Sequence, residues 1–434
     1  MTTLLAARWV IPVEPRATVL HHHTVVVEND RIVALLPHDE AALRFRGAAV
    51  VALPHHALIP GLINLHTHTP MTLMRGLADD TPLMVWLQEH IWPAESKHVS
   101  DEFVFDGTEL AAAEMIRSGT TCFADMYFHP DAGARAVQKS GMRAALGGAV
   151  MEFSTPYAAN ADAYIARALE ARALFAAEPR LKLMLTPHAP YTVADATFRK
   201  LVALTNDLDD VQMMCHIHET AGETLDGMKQ YGVRPIERLD RLGVLSRNLI
   251  AVHCVHMTPT EIALFAKHGV HVAHCPVSNL KLASGIAPIK ALLEAGVNVG
   301  IGTDGCASNN RLDMLAEARL ASLLQKGVSG DAATLAAHTA LEMATLNAAR
   351  ALEWDQEIGS IMVGKSADLV AIDLSSIETQ PVYDPVSHIF HAAGRENVTH
   401  SWVAGELLMD NRVLTKLDPD ELRRKASRWQ SRIA

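Results

Sequence analysis

The stretch LIPGLINLHTHTP, residues 58–70, ends an apolar run in two imidazoles, His66 and His68, one residue apart. Side chains on a β-strand alternate faces, so Leu62, Asn64, His66 and His68 would share one face. Two imidazoles on one face can hold a single ion, although the pair alone also reads as a strand that simply ends in water. The same signature recurs along the chain. Apolar runs end in His188 (LKLMLTPHA), in His216, His218 and Glu219 (VQMMCHIHE), and in His253 and His256 (LIAVHCVH). Two more end in His274 (HVAHCPVS) and Asp304 (VNVGIGTD). Imidazoles and carboxylates gathered in one place would make a site for metal binding and proton transfer.

The element order must do the gathering. LINLHTH, TTCFADM, RAALGGAVM, LKLMLTPHA, VQMMCHIHE, LIAVHCVH, HVAHCPVS and VNVGIGTD make eight β runs separated by helical stretches. SDEFVFDGTELAAAEMIRSG has a Ser start, an acidic first turn and a Gly stop; TPTEIALFAKHG has a Thr258 cap, Pro259 at the first position and Gly269 at the end. The pattern predicts an α/β protein with a TIM-like (β/α)8 barrel over 61–354, whose active site lies at the C-terminal ends of the strands. Residues 1–60 and 355–434 instead pair apolar runs across turns, as in HTVVVENDRIVALLP and HSWVAGELLMDNRVL. They predict a small β-sandwich built from both termini. The final DPDELRRKASRWQSRIA predicts a helix capped by Asp418 or Asp420, with a basic face in solvent.

Composition narrows the function classes. Of 434 residues, 49% are hydrophobic and 20% charged, which is globular and large enough for a barrel plus a smaller unit. The net charge of −11, with both signs interspersed, offers no footprint for nucleic acid. Five cysteines, Cys122, Cys215, Cys254, Cys275 and Cys306, are odd in number and widely spaced, which suits core thiols in a reducing compartment. With neither a leader pattern at the start nor a long uninterrupted apolar stretch, the expectation is a cytoplasmic protein without a membrane partner.

PGLINLHTHTPMTLMRGL, HIHET, HCVH and GIGTDGCASNN resemble the amidohydrolase superfamily. Within it they are most similar to the 5-methylthioadenosine/S-adenosylhomocysteine deaminase group, a sister to triazine hydrolases and guanine deaminases. The resemblance spans essentially the whole chain, terminal strands included. It implies one divalent metal per subunit, Zn²⁺ or Fe²⁺, held by His66, His68, His216 and Asp304 with a position open to water. Spacing alone leaves His216 and His218 open as the third ligand. The family pattern selects His216 and sets His218 on the same side, above the metal. Binuclear members bridge their ions through a lysine at the end of the fourth strand; LMLTPHAPY carries His188 and no lysine, which favours one ion. His253 is then free to hydrogen-bond the bound water.

The reaction implied by the resemblance is hydrolytic deamination of an adenine nucleoside to its inosine analogue and ammonia. An ion would lower the pKa of its water to about 7. Asp304 and His253 would orient that water, Asp304 taking its proton, while Glu219 protonates the purine ring. Glu95, in GLADDTPLMVWLQEHIWPAE, matches a position that accepts hydrogen bonds from ribose, and His188 one that contacts the nucleoside. Trp86, Leu87 and Trp92 suit an apolar wall; without the family match, Glu95 reads as a surface residue and the aromatics as packing. GGAVMEFSTPYAANADAYIAR has no arginine before Arg167, whereas some relatives carry ones suited to a homocysteine carboxylate. This favours 5′-methylthioadenosine and adenosine over S-adenosylhomocysteine, unless a partner subunit supplies a cation. A homo-oligomer is implied by the resemblance only.

Two other readings compete. One is an amidohydrolase acting on a bare ring, as guanine or cytosine deaminases and triazine hydrolases do; Glu95 with His188 argues against it, having a purpose for ribose. The zinc cytidine-deaminase signature, H-x-E with P-C-x-x-C, is absent. The other is a non-catalytic barrel scaffold, which would have no need of the ligand set and general acid that this chain retains. The HHH at 21–23 reads as strand or turn surface in the terminal β unit.

Overall fold

The computed structural model describes residues 2–208 and 210–434. All eight β runs between the termini form parallel strands: β5 (Leu62–Thr67), β6 (Thr120–Tyr127), β7 (Arg143–Val150) and β8 (Leu181–Pro187). They continue as β9 (Gln212–Ile217), β10 (Leu249–His253), β11 (His271–His274) and β12 (Asn298–Ile301), paired in chain order. Most are buried along their whole length because helices cover the outside and side chains fill the inside, which is why they read as unbroken apolar runs. The helix Asp101–Arg117 is capped by Ser100, and Pro259–His268 by a reciprocal Thr258–Glu261 pair with Gly269 left-handed at its end.

The barrel closes between β12 and β5 through a seam of specific bonds. The Asp304 N–H donates to His66 O at 2.9 Å, and the Thr303 N–H to Asn64 Oδ1 at 2.9 Å. Asn64 Nδ2 returns a bond to Thr303 Oγ1 at 2.7 Å. Only glycine fits at position 302, since a Cβ there would lie 2.7 Å from His66 N.

Both terminal segments enter one second sheet, whose earlier strands are β1 (Thr2–Val10), β2 (Leu20–Glu28), β3 (Arg31–Pro37) and β4 (Ala49–Pro60). The later ones are β13 (Leu369–Asp373), β14 (Val398–Val403), β15 (Glu406–Asp410) and β16 (Val413–Leu414). Its hydrogen-bond ladder is continuous in the order β16-β15-β14-β13-β4-β1-β2-β3. β4 runs to Pro60 and β5 begins at Leu62, so this sheet leads directly into the first barrel strand. Arg143, on β7, fastens the two units by a bidentate bond to Asp368 beside β13, at 3.0 and 3.2 Å, with both residues buried. His21 and His22 of the HHH stretch are exposed on β2.

The terminal helix Pro419–Ile433 is capped by Asp418, whose side chain accepts the Asp420 N–H. Its basic face departs from expectation. Arg423 and Arg424 remain in solvent, but Lys425 and Arg428 reach back to Asp106 and Glu109 on the helix Asp101–Arg117. Trp429 packs edge-on against Phe103 and donates to Asp106 Oδ2 at 2.9 Å.

Candidate active site at the barrel mouth

The strand ends bring His66, His68, His216, His253 and Asp304 together. His66 Nε2 lies 3.2 Å from His216 Nε2 and 3.4 Å from Asp304 Oδ1, and His68 Nε2 lies 3.2 Å from the same carboxylate oxygen. A tetrahedral site with bonds of about 2.0–2.1 Å has ligand–ligand edges of roughly 3.3 Å, which these three separations match; the donors form two triads that share His66, one with His68 and Asp304 and one with His216 and His253. The tautomers fit as well. His68 Nδ1 donates to Met126 O at 2.6 Å, and His66 Nδ1 faces the Met214 sulfur at 3.1 Å, so both Nε2 lone pairs turn inward. Burial holds His66 at about 4 and pushes His216 well below the ordinary imidazole range, keeping both rings neutral and able to ligate. Against the same burial, the Asp304 carboxylate raises His68 to about 9.

Asp304 sits just past β12 with φ +63°, a left-handed conformation that turns its side chain into the mouth. Ser278 and Ser308 donate to its Oδ2 at 2.6 and 2.8 Å, and the Gly305 N–H to Oδ1 at 2.8 Å. Burial would raise this carboxyl, but the His66 and His68 imidazoles beside it hold it well below the carboxylate range. Asp125 ties down the turn after His68 by accepting the Thr69 N–H at 2.6 Å.

Glu219 is buried, 3.7 Å from His253 Nε2, and burial raises its carboxyl above the ordinary range, which favours the protonated form. Its turn is set by Glu223, whose carboxylate accepts the His218 and Glu219 N–H groups, each at 2.8 Å. Glu223 escaped the sequence reading; the recognisable signal was its place three residues after the Thr220 cap of the next helix. Glu223→Ala should lower kcat about tenfold or more by freeing that turn, while Glu223→Gln, which keeps an acceptor, should lose less. Steady-state kinetics on the two variants check this.

His218 departs from expectation. With φ +53° it leaves the strand geometry, and its Nε2 accepts the Ile236 N–H at 3.3 Å, outside the cavity lining. It therefore supports the start of the helix Pro235–Arg241 rather than lying above the cluster.

A cavity of about 310 Å³ opens over the cluster. His188, Trp86, Leu87, Trp92 and Glu95 all line it, alongside Glu219, His253 and Asp304. Burial lowers His188 to about 3, so the ring is neutral, with Nδ1 3.0 Å from Thr192 Oγ1. Trp86 rides on a π-helical turn, Trp86–Ile91, a geometry common at functional sites. Burial pushes Glu95 up to about 7, the nearby Tyr127 hydroxyl acting in the opposite direction. The buried Trp86 Nε1 lacks a protein partner among the described residues and so is free to meet a ligand, while the Tyr127 hydroxyl faces Glu95. Tyr127 was also missed from sequence, where it reads as one more strand aromatic. The lining carries three carboxylates and neither lysine nor arginine.

Residues 57–408 match the amidohydrolase family. A 5-methylthioadenosine/S-adenosylhomocysteine deaminase from Teredinibacter turnerae is 45% identical, the match covering 99% of this chain and 97% of that protein. One of the same name from Saccharophagus degradans is 42% identical over 99% and 96%. Among solved structures, an adenosine deaminase from Xanthomonas campestris with bound zinc superposes with TM-score 0.98 at 50% identity, covering 99% of this chain and 98% of that one. Guanine deaminase from E. coli, at 21% identity and TM-score 0.83 over 94% and 98%, shares the fold.

Proposed function

The chain belongs to the amidohydrolase family, and on that premise we propose that it is a metal-dependent deaminase of adenine nucleosides, converting adenosine and 5′-methylthioadenosine to their inosine counterparts with release of ammonia. The observation that carries the reading is the cavity itself, with a ligand cluster, a buried Glu219 and His253 at one place and Glu95 with the unpaired Trp86 Nε1 elsewhere along its wall. His66, His68, His216 and Asp304 would hold one divalent ion, zinc in our assignment with iron(II) as the other candidate, which supplies an activated water and neutralises developing charge.

The protein's own groups supply the rest. Asp304 accepts the proton of the attacking water, and His253 orients that water. As oxygen adds to C6 of the purine, Glu219 donates its proton to N1, so the ring takes up the electron pair. Asp304 passes the water's proton to N6, the C6–N6 bond breaks and ammonia leaves, and the remaining hydroxyl proton returns to Glu219 as C6 becomes a carbonyl. Glu95 accepts hydrogen bonds from the ribose hydroxyls, while His188 and Trp86 contact the nucleoside. With neither lysine nor arginine in its lining, the cavity offers no cation to a phosphate or to the carboxylate of S-adenosylhomocysteine and suits a neutral 5′ substituent. A homo-oligomer in the cytoplasm, with neither nucleic acid nor membrane as partner, completes the proposal; its five buried free thiols suit a reducing compartment.

The test is a panel: zinc-loaded protein with adenosine, 5′-methylthioadenosine, S-adenosylhomocysteine, guanine and a chlorotriazine, with ammonia release followed. Turnover of the first two, lost on chelation and restored by zinc, is the expected result. Turnover of a bare ring alone would overturn the nucleoside assignment.

Glu95 adds a pH prediction. Its carboxyl titrates at about 7, so it accepts fully above that pH and loses accepting power as pH falls through it. KM for adenosine should therefore rise below pH 7, whereas Glu95→Gln should flatten that limb and narrow the KM difference between adenosine and 2′-deoxyadenosine.

A further inference from the structure

His253 ends β10 against the ligand cluster, with Nε2 3.7 Å from Glu219 Oε2. Its other ring nitrogen, Nδ1, lies 2.9 Å from Asn279 Oδ1. Asn279 is 1% exposed, in the short helix Pro276–Lys281 after β11. Its backbone is pinned, the N–H bonding to Cys275 O at 3.0 Å and the carbonyl accepting the Ser284 N–H at 2.8 Å. Its amide nitrogen has no protein partner among the described residues. A buried asparagine kept only for structure would be expected to use both ends of its amide, because an unpaired buried donor costs free energy. Here only the oxygen is used, and it is aimed at His253.

We propose that Asn279 is a positioning residue for the deamination: its amide oxygen accepts the Nδ1–H of His253 and fixes the tautomer that turns the Nε2 lone pair toward Glu219 and the attacking water. The inference rests on the role given to His253 under the proposed function. A neutral imidazole carries one N–H, so the partner of one nitrogen decides what the other offers. With Nδ1–H committed to Asn279, Nε2 is an acceptor and can receive a hydrogen bond from water. The opposite tautomer would aim a donor at an oxygen that must keep its lone pair for C6. The neighbouring Ser278 donates to Asp304 Oδ2 at 2.6 Å. One dipeptide thus steadies both groups that face the water.

The test uses the full-length, zinc-loaded protein and two variants. Asn279→Leu removes the acceptor at similar volume; Asn279→Asp keeps it. Imidazole resonances of ¹⁵N-histidine protein report the tautomer directly, with the His253 signals identified by their loss in His253→Gln. The expected wild-type state is Nδ1–H. Asn279→Leu should abolish that preference and lower kcat for adenosine about 10- to 100-fold with KM within about twofold, and Asn279→Asp should recover most of kcat. An Nε2–H tautomer in the wild type overturns the proposal, as does an Asn279→Leu protein with unchanged kcat or with an effect on KM and thermal midpoint alone. Should Asn279→Leu fail to fold, the wild-type tautomer still decides. Should the wild type deaminate no nucleoside, the functional reading fails, and the tautomer separately decides the Asn279–His253 assignment.

Discussion

Glu219→Gln is expected to lower kcat for adenosine about 10³-fold, within the 10²–10⁴ range of general acid catalysis, while leaving KM and thermal midpoint nearly unchanged. The substitution keeps the shape and removes only the proton donor. Glu219 is suited to that task because burial favours its protonated form and because Glu223 fixes its backbone through two N–H groups. Asp304→Asn should cost at least as much and lower zinc content as well, since Asp304 Oδ1 sits within 3.4 Å of two imidazoles of the cluster. Single-turnover kinetics with metal analysis separate the two effects. Near-normal turnover by the glutamine variant would remove Glu219 from proton transfer.

Breaking the Arg143–Asp368 pair should have the largest effect on stability. Both side chains are buried, the bond is bidentate, and Asp368 also accepts the Ala404 N–H at 2.8 Å and the Ser366 hydroxyl at 2.7 Å. Arg143→Ala or Asp368→Ala leaves an uncompensated buried charge, which costs about 3–5 kcal/mol. Replacing both residues with apolar ones of similar volume should cost less than either single change. Denaturant unfolding of the three variants checks this. The zinc-loaded folded fraction should retain its KM for adenosine, because the pair lies away from the cavity lining.

The barrel was legible because strands covered on both faces are written as continuous apolar runs, and all eight runs became strands. The gathering of polar residues at their ends followed from that topology. What failed was the period-two rule at the last residue of a run. His218, His253 and Asp304 all take positive φ, so their side chains no longer follow the alternation of the strand behind them. This is why His218 points away from the site although it stands two residues after His216. Glu223 and Tyr127 were missed for another reason: their roles need neighbours that only the folded chain supplies. The terminal helix shows the same limit. Lys425 and Arg428 looked solvated because Asp106 and Glu109 lie more than 300 residues earlier in the chain.

The seam between β12 and β5 couples assembly to cofactor acquisition. His66 and Asp304 meet through a backbone bond, and Asn64 and Thr303, 239 residues apart in sequence, interlock beside them. Until the first and last barrel strands have found each other, Asp304 stands apart from His66 and His68. An incomplete or misregistered chain would therefore bind a divalent metal weakly, and tight uptake would report that the ring has shut.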